Sequence, residues 1–349
     1  MLPTHKFATL KDVAELAGTS AATVSYILSG STKRYVSEEM RKRVEDAAAT
    51  LGYVKFGAAS TLKGKKSGVI AILSPQYENP YFASIFATVE SIVQEHGYVL
   101  ATLNTFDDPE REKHAINQMV RLRVDGFLVI PTLGGGVNTE TIRNLNVPFV
   151  AVERPLTGVP DNTYNFISSD NLGAVYALTM HSLQNGHRRI ALAYWQSEVT
   201  SAIVNLTDRR LGYEKAMHEN NAFAADLMFS GDITQEDGAR ITEEILRDES
   251  VTSIVYAHYI LAEGGIRYLQ KNGLRAPRDI SISFLGSPAW VGMVDTDYTR
   301  ALQPGEAVGR MAVETLLARI NGSGSRDVVE VVPVRLHVGE SVSNKGIIV

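Results

Sequence analysis

The stretch from Thr9 to Ser29 constrains this chain more than any other. It reads Thr-Leu-Lys-Asp-Val-Ala-Glu-Leu-Ala-Gly-Thr-Ser-Ala-Ala-Thr-Val-Ser-Tyr-Ile-Leu-Ser. Thr9 followed three residues later by Asp12 is the pattern of a reciprocally capped helix N-terminus. Leu10, Val13, Ala14 and Ala17 recur at helical spacing. Gly18 ends that helix, because it enters the left-handed conformation without a Cβ clash. Ser20 caps a second helix with Val24, Ile27 and Leu28 along one stripe. A third helix follows Ser37, with Glu38 and Glu39 in its first turn and Met40, Val44, Ala47, Ala48 and Leu51 on its inner face. Three helices close a small core where two cannot. A glycine-bearing turn between the first two makes a helix-turn-helix, the arrangement that presents its second helix to base edges in a DNA major groove.

The charge distribution agrees with a nucleic-acid partner. Residues 1–66 hold eleven Lys or Arg against six Asp or Glu, a surplus of five positive charges. The remainder holds 23 basic against 33 acidic residues, so a basic head sits on an acidic body and the whole-chain net charge of −5 hides it. No cysteine is present, which excludes disulfides, thiolate metal sites and a cysteine nucleophile. No apolar run approaches a membrane span, and the first eight residues lack the apolar core of a signal peptide, so a cytoplasmic location is expected. Zinc-protease, nucleophile-elbow and phosphate-loop motifs are missing and the histidines are scattered. An enzyme is therefore not expected, nor a cofactor or metal.

From Val69 the rhythm changes to short apolar runs alternating with amphipathic helices. Strands are predicted at 69–73, 98–103, 126–130 and 149–152, with helices near 81–96, 109–123 and 139–145. A second series follows, with helices near 172–184, 207–220, 234–247, 262–272 and 305–320. Its strands are predicted at 189–193, 253–256 and 280–284, and a last strand near 331–338. Such alternation implies an α/β fold of βαβ units, and two series imply two doubly wound parallel-sheet lobes with a ligand cleft at the carboxyl ends of the strands.

The run Thr9–Ser29, followed by Tyr35-Val-Ser-Glu-Glu-Met-Arg-Lys-Arg-Val44 and Leu51-Gly-Tyr53, resembles the DNA-binding head of the lac repressor/galactose repressor family of bacterial transcription factors. The likeness continues through Asn79-Pro-Tyr-Phe82, Val124-Asp-Gly-Phe-Leu-Val-Ile-Pro131, Ser169-Asp-Asn171 and Gly186-His-Arg-Arg-Ile-Ala191. Asp208-Arg-Arg-Leu-Gly-Tyr213 and Gly273-Leu-Arg-Ala-Pro-Arg-Asp-Ile-Ser281 extend it over essentially the whole chain. It implies a helix-turn-helix head over 1–54, a hinge over 55–67 and a two-lobed periplasmic-binding-protein type I-like core over 68–349. The implied function is a homodimeric transcriptional regulator, most simply a repressor. Its partners would be a two-fold symmetric double-stranded operator and a small-molecule effector (a sugar, glycoside or nucleoside). Whether the dimer pairs further is open.

On the head, the DNA contacts so implied are Thr9, Ser20, Ala21, Ala22, Thr23, Ser25 and Tyr26, then Lys33, Arg34 and Tyr35 in the following loop. In the hinge they are Ala59, Leu62 and Lys63, with Leu62 as the apolar wedge between base steps. Tyr26 stands where the family commonly has a guanine-reading arginine, so the operator's bases are not implied. In the cleft, the likeness puts Arg209 on a polar ligand, Tyr81 and Phe82 against its ring, and Glu153, Asp170 and His258 as further polar contacts. Two departures lie in the second lobe. Phe284-Leu-Gly-Ser287 lacks the usual ligand-binding carboxylate, and His258-Tyr259 replaces an Asn-Asp pair.

Overall fold

Each helix of the N-terminal unit begins on a hydroxyl. In the computed structural model, which describes residues 8–29, 35–53, 66–133, 138–156, 158–160, 163–196, 204–323 and 329–345, α1 spans Leu10–Ala17, α2 Ala21–Leu28 and α3 Glu38–Thr50. Thr9 Oγ1 accepts the Asp12 amide at 3.3 Å while Asp12 Oδ2 accepts the Thr9 amide at 2.7 Å, closing the capping box. Ser20 and Ser37 accept the amides of Thr23 and Met40 at 3.2 and 3.3 Å. Gly18 takes φ +63°, and the Thr19 amide then returns to the Ala14 carbonyl at 2.9 Å. Val13, Val24 and Val44 meet at the centre with no solvent exposure. Leu51, expected on the inner face, is 37% exposed because α3 ends one residue before it.

A second unit begins at Gly68 and carries two six-stranded sheets. The first contains β1 (Val69–Ser74), β2 (Val99–Asn104), β3 (Gly126–Val129), β4 (Phe149–Val152), β5 (Asn165–Ser169) and β11 (Val329–Val332), in the order β11-β5-β4-β3-β1-β2. All its pairings are parallel. The second contains β6 (Ile190–Trp195), β7 (Met228–Gly231), β8 (Ser253–Tyr256), β9 (Ser281–Leu285), β10 (Thr299–Leu302) and β12 (Arg335–His337), in the order β12-β10-β9-β8-β6-β7. Only its edge strand β12 runs antiparallel. The inner strands are buried on both faces, as their unbroken apolar runs require.

Helices cover both faces of each sheet. In the first lobe α4 (Pro80–Glu95) and α11 (Gly305–Ile320) bury Ile85, Val308 and Leu316 against Ile72 and Leu128. On its other face, α5 (Pro109–Arg121) and α6 (Glu140–Asn144) bury Ile116 and Ile142 against Leu73 and Phe127. In the second lobe α7 (Asn171–Gln184) and α8 (Val204–Glu219) pack Leu178 and Tyr213 on Leu192 and Val255. Opposite them, α9 (Gln235–Ile245) and α10 (Tyr259–Lys271) pack Ile241 and Leu261 on Ile254 and Phe284.

The two series are not consecutive halves. The helix over 305–320, read in sequence as part of the second series, returns to the first sheet. There its Val308, Ala312 and Leu316 face completes the core beside α4. The single last strand expected near 331–338 is two strands, one in each sheet, separated by Pro333 and Val334. Strands β5, β7 and β10 were not expected. Each is four or five residues long, and polar residues such as Asn165, Ser168, Ser169, Ser230 and Thr299 interrupt their apolar pattern.

Gly212 sets how closely α8 lies on α7. A Cβ there would stand 2.3 Å from the Leu172 carbonyl oxygen and 3.0 Å from the Tyr176 nitrogen. Because both obstacles are backbone, Gly212→Ala should destabilise the chain by about 1–3 kcal/mol. Urea unfolding reads this directly, and an unchanged midpoint would contradict the close approach.

Candidate functional site

On the head, α2 offers a small, polar outer surface. Ala22 and Ser25 are exposed, whereas Ala21, Thr23 and Tyr26 are half-buried. Thr23 Oγ1 lies 2.9 Å from Ser20 Oγ at the helix start, where the leading N–H groups of a helix lack intrahelical partners and suit a phosphate. Tyr26 packs against the head core. Thr9 is committed to its capping box but remains exposed, and Tyr35 is 96% exposed. Arg43, which sequence reasoning passed over, donates from Nη2 to the Ala17 carbonyl and ties α3 to the end of α1. Lys33, Arg34, Ala59, Leu62 and Lys63 lie outside the described residues.

In the second unit a cavity of about 370 Å³ opens between the lobes. Its walls come from the carboxyl ends of strands, as expected where a sheet's connections leave a crevice. After β1 and β2 come Gln76, Asn79, Tyr81, Phe82 and Asp107, and after β4 Glu153 and Arg154. The second lobe supplies Trp195, Arg209 and His258, with Asp232, Ile233 and Thr234 from the loop after β7. Gln303, in the chain crossing between β10 and α11, also lines it.

Five of the six residues singled out from sequence thus share one cavity. The sixth, Asp170, is not in its wall. Its Oδ1 accepts the Gly173 amide at 2.7 Å and caps α7. Sequence reasoning did not single out Gln76, Asn79, Asp107, Arg154, Trp195, Asp232, Ile233, Thr234 or Gln303. Gln76, Asn79, Asp107, Arg154 and Trp195 follow predicted strands, which is the signal that could have found them, whereas Asp232, Ile233, Thr234 and Gln303 follow β7 and β10, which the sequence pattern did not announce.

The first-lobe wall is a network of internally satisfied charges. Glu153 is buried, and its Oε1 accepts the Tyr81 hydroxyl and the Ser169 amide, the latter at 2.6 Å. Its Oε2 accepts the Ser169 hydroxyl at 3.0 Å. Burial pushes the Glu153 carboxyl up from its ordinary value while these hydrogen bonds pull it back. The Tyr81 phenol is held well above its ordinary value by burial and then by the Glu153 charge. Arg154 grips Asp107 through two nitrogens at 2.7 and 3.3 Å, the bidentate geometry that makes such a pair strong. Phe82 is buried and belongs equally to the first-lobe core.

The second-lobe wall differs. Arg209 donates from Nε to Asn171 Oδ1 and from Nη1 to the Ala257 carbonyl, both at 3.0 Å. Its neighbour Arg210 pairs with Glu214 at 2.6 Å. Burial lowers the Arg209 guanidinium to about 10, a loss that the Glu153 charge only partly offsets. His258 caps α10, its Nδ1 accepting the Ile260 amide at 3.2 Å. Burial, reinforced by the Arg209 charge, lowers its pKa to about 3. The two departures noted in sequence are one feature. Gly286 sits at φ +120°, and a Cβ there would meet Tyr259 Cδ1 at 2.9 Å, so Tyr259 occupies the space a larger residue at 286 would need.

Residues 9–55 match the family described as bacterial regulatory proteins, lacI family. Residues 67–336 match the periplasmic binding proteins and sugar binding domain of the LacI family. The chain is 32% identical over 346 residues to the HTH-type transcriptional repressor PurR of Aliivibrio fischeri, covering 97% of this chain and 99% of that protein. Among solved structures it is similar to a transcriptional regulator CelR–cellobiose complex, with a TM-score of 0.70 at 27% identity over 96% of this chain and 99% of that one. It shares the fold of the lac repressor dimer bound to operator and the anti-inducer ONPF, with a TM-score of 0.82 at 24% identity, covering 97% of this chain and all (100%) of that one.

The His258 cap has a pH consequence. The folded state requires neutral imidazole, because Nδ1 must accept a hydrogen bond. The unfolded state takes its proton near the ordinary value of 6.5 and the folded state only near about 3. Stability from this group is therefore complete above pH 6.5 and is lost as pH falls toward about 3. Chemical unfolding between about pH 7.5 and 5 should show a smaller loss for His258→Gln than for the unmodified chain. Equal losses would contradict the assignment.

Proposed function

The chain belongs to the LacI family of bacterial regulatory proteins, and from that membership we propose that it is a repressor whose hold on DNA is set by a small molecule in the interlobe cavity. The observation that carries this is the presence, in one chain, of a capped helix-turn-helix head and a two-lobed core with a polar cavity. The proposed division is a head over 1–54, a hinge over 55–67 and a sensor core over 68–349, acting as a homodimer in the cytoplasm. No helix among the described residues is long and apolar enough to cross a membrane.

In this reading two heads clamp a two-fold symmetric operator. Thr9, Ser20, Ala21, Thr23 and backbone amides at the start of α2 hold phosphates, and Ala22, Ser25 and Tyr26 face base edges. Lys33, Arg34 and Tyr35 extend the contact, while Ala59, Leu62 and Lys63 serve the hinge. With an alanine, a serine and a half-buried tyrosine on the reading face, specificity leans on apolar contacts, hydroxyls and DNA shape rather than on an arginine–guanine pair. An effector between Tyr81, Phe82, Glu153, Arg209 and His258 favours one lobe arrangement over another, and that difference is what alters operator affinity. The relatives are transcriptional regulators, and we read this chain as a regulator rather than an enzyme.

Ser25→Glu would place a carboxylate against the phosphate-rich groove. On duplexes recovered by selection from random DNA, fluorescence anisotropy should show binding at least about 100-fold weaker, and affinity of the unmodified chain should fall steeply with salt. Full, salt-resistant binding by Ser25→Glu would sink the assignment of α2 as the reading helix.

A further inference from the structure

We propose that the effector is a carboxylate-bearing sugar derivative, and that Arg209 and His258 together take its carboxylate at the second-lobe wall. This rests on the reading of the interlobe cavity as the effector site and narrows it to one chemical class.

The two walls differ in unused hydrogen-bonding capacity. The first-lobe carboxylates are committed within the protein, Glu153 to Tyr81 and Ser169. Asp107 is held by both nitrogens of the Arg154 fork and by the Leu133 amide, the latter at 3.0 Å. The second-lobe wall is left with donors. Arg209 is bonded only to neutral acceptors, Asn171 Oδ1 and the Ala257 carbonyl. Among the described residues no carboxylate forms an ion pair with it, and its Nη2 makes no hydrogen bond. Because Nδ1 of His258 accepts the Ile260 amide, the neutral ring carries its proton on Nε2, a second donor. The two are neighbours, since Arg209 bonds the carbonyl of the residue preceding His258. A guanidinium edge beside an imidazole N–H fits the two oxygens of a planar carboxylate.

Charge supports the geometry. Burial is the main cause that lowers both Arg209 and His258, and the Arg209 charge adds to the lowering of His258. The acid that would sit after β9 is replaced by Gly286 beneath Tyr259. Of the second-lobe residues in the wall, Asp232 is the only acid, and it is exposed. The rest of the cavity suits a hydroxylated body. Trp195, Tyr81 and Phe82 supply ring faces, and Gln76, Asn79 and Gln303 supply carboxamides. A volume of about 370 Å³ is that of a small-ligand site.

The test is thermal unfolding of the full chain with D-glucuronate, D-galacturonate and D-gluconate, beside D-glucose, D-galactose and D-glucose 6-phosphate. At least one acid should raise the midpoint where its neutral parent at equal concentration does not. Arg209→Gln should weaken that acid about 100-fold, and His258→Gln, which keeps an N–H donor, by about tenfold or less. The proposal is overturned if the neutral hexose stabilises as strongly as the acid, if only the phosphate does, if no acid does, or if Arg209→Gln binds the acid unchanged. Operator binding by the unmodified chain, measured with and without each compound, separates the outcomes. Retained binding with silent acids sinks this inference alone, and binding absent under every condition sinks the regulator reading.

Discussion

Three chain crossings between the two sheets determine what this core can do. They follow β5, β10 and β11, so neither lobe is a continuous stretch of sequence. Each lobe keeps its own apolar interior on both faces of its sheet. The crossings bring the carboxyl ends of both sets of strands to one cavity and leave only short connectors to absorb any change in the angle between lobes. Hinges of that kind are what a ligand-driven closure requires. Ser169, just before the first crossing, holds Glu153, and Gln303 in the second reaches Ser169 Oγ at 3.4 Å. The cavity wall and the hinge thus share hydrogen bonds, so a ligand that disturbs one bears on the other.

The cavity's two walls follow different chemistry. The first-lobe wall pairs each buried charge with donors inside the protein, which avoids the large cost of an uncompensated buried ion. It also fixes the Tyr81 ring through its hydroxyl. The second-lobe wall leaves a guanidinium bonded to neutral oxygens and a helix-capping imidazole kept neutral by burial and by the Arg209 charge. Tyr259 over Gly286 makes this asymmetry permanent, since a side chain cannot return to position 286 without displacing the ring.

Much of the head was legible because its signals are local. Thr9, Gly18, Ser20 and Ser37 act within three or four residues of themselves, and the valines at 13, 24 and 44 declare their faces by spacing. Arg43 was not legible, because its partner Ala17 lies 26 positions away. The same divide runs through the core. Long apolar strands such as β1 and β6 stood out, whereas β10 is recognisable as a strand only from the neighbours it pairs with. Tyr81, Phe82 and Arg209 were placed by motif, whereas Glu153 and His258 lie outside the quoted motifs and were named from the wider likeness. Asp170 sat in a motif too, yet a helix cap uses its carboxylate. Arg154 and Asp107, 47 positions apart, carry no local sign of their pairing. The membership of α11 in the first lobe likewise depends on a crossing that amphipathic spacing does not encode.

In the proposed function two copies of this chain read one symmetric DNA site. The most direct test is the mass and footprint of the complex formed on the best duplex recovered from random DNA. Two chains per duplex and a footprint of two inverted half-sites are expected. A single chain bound to an asymmetric site would contradict that function.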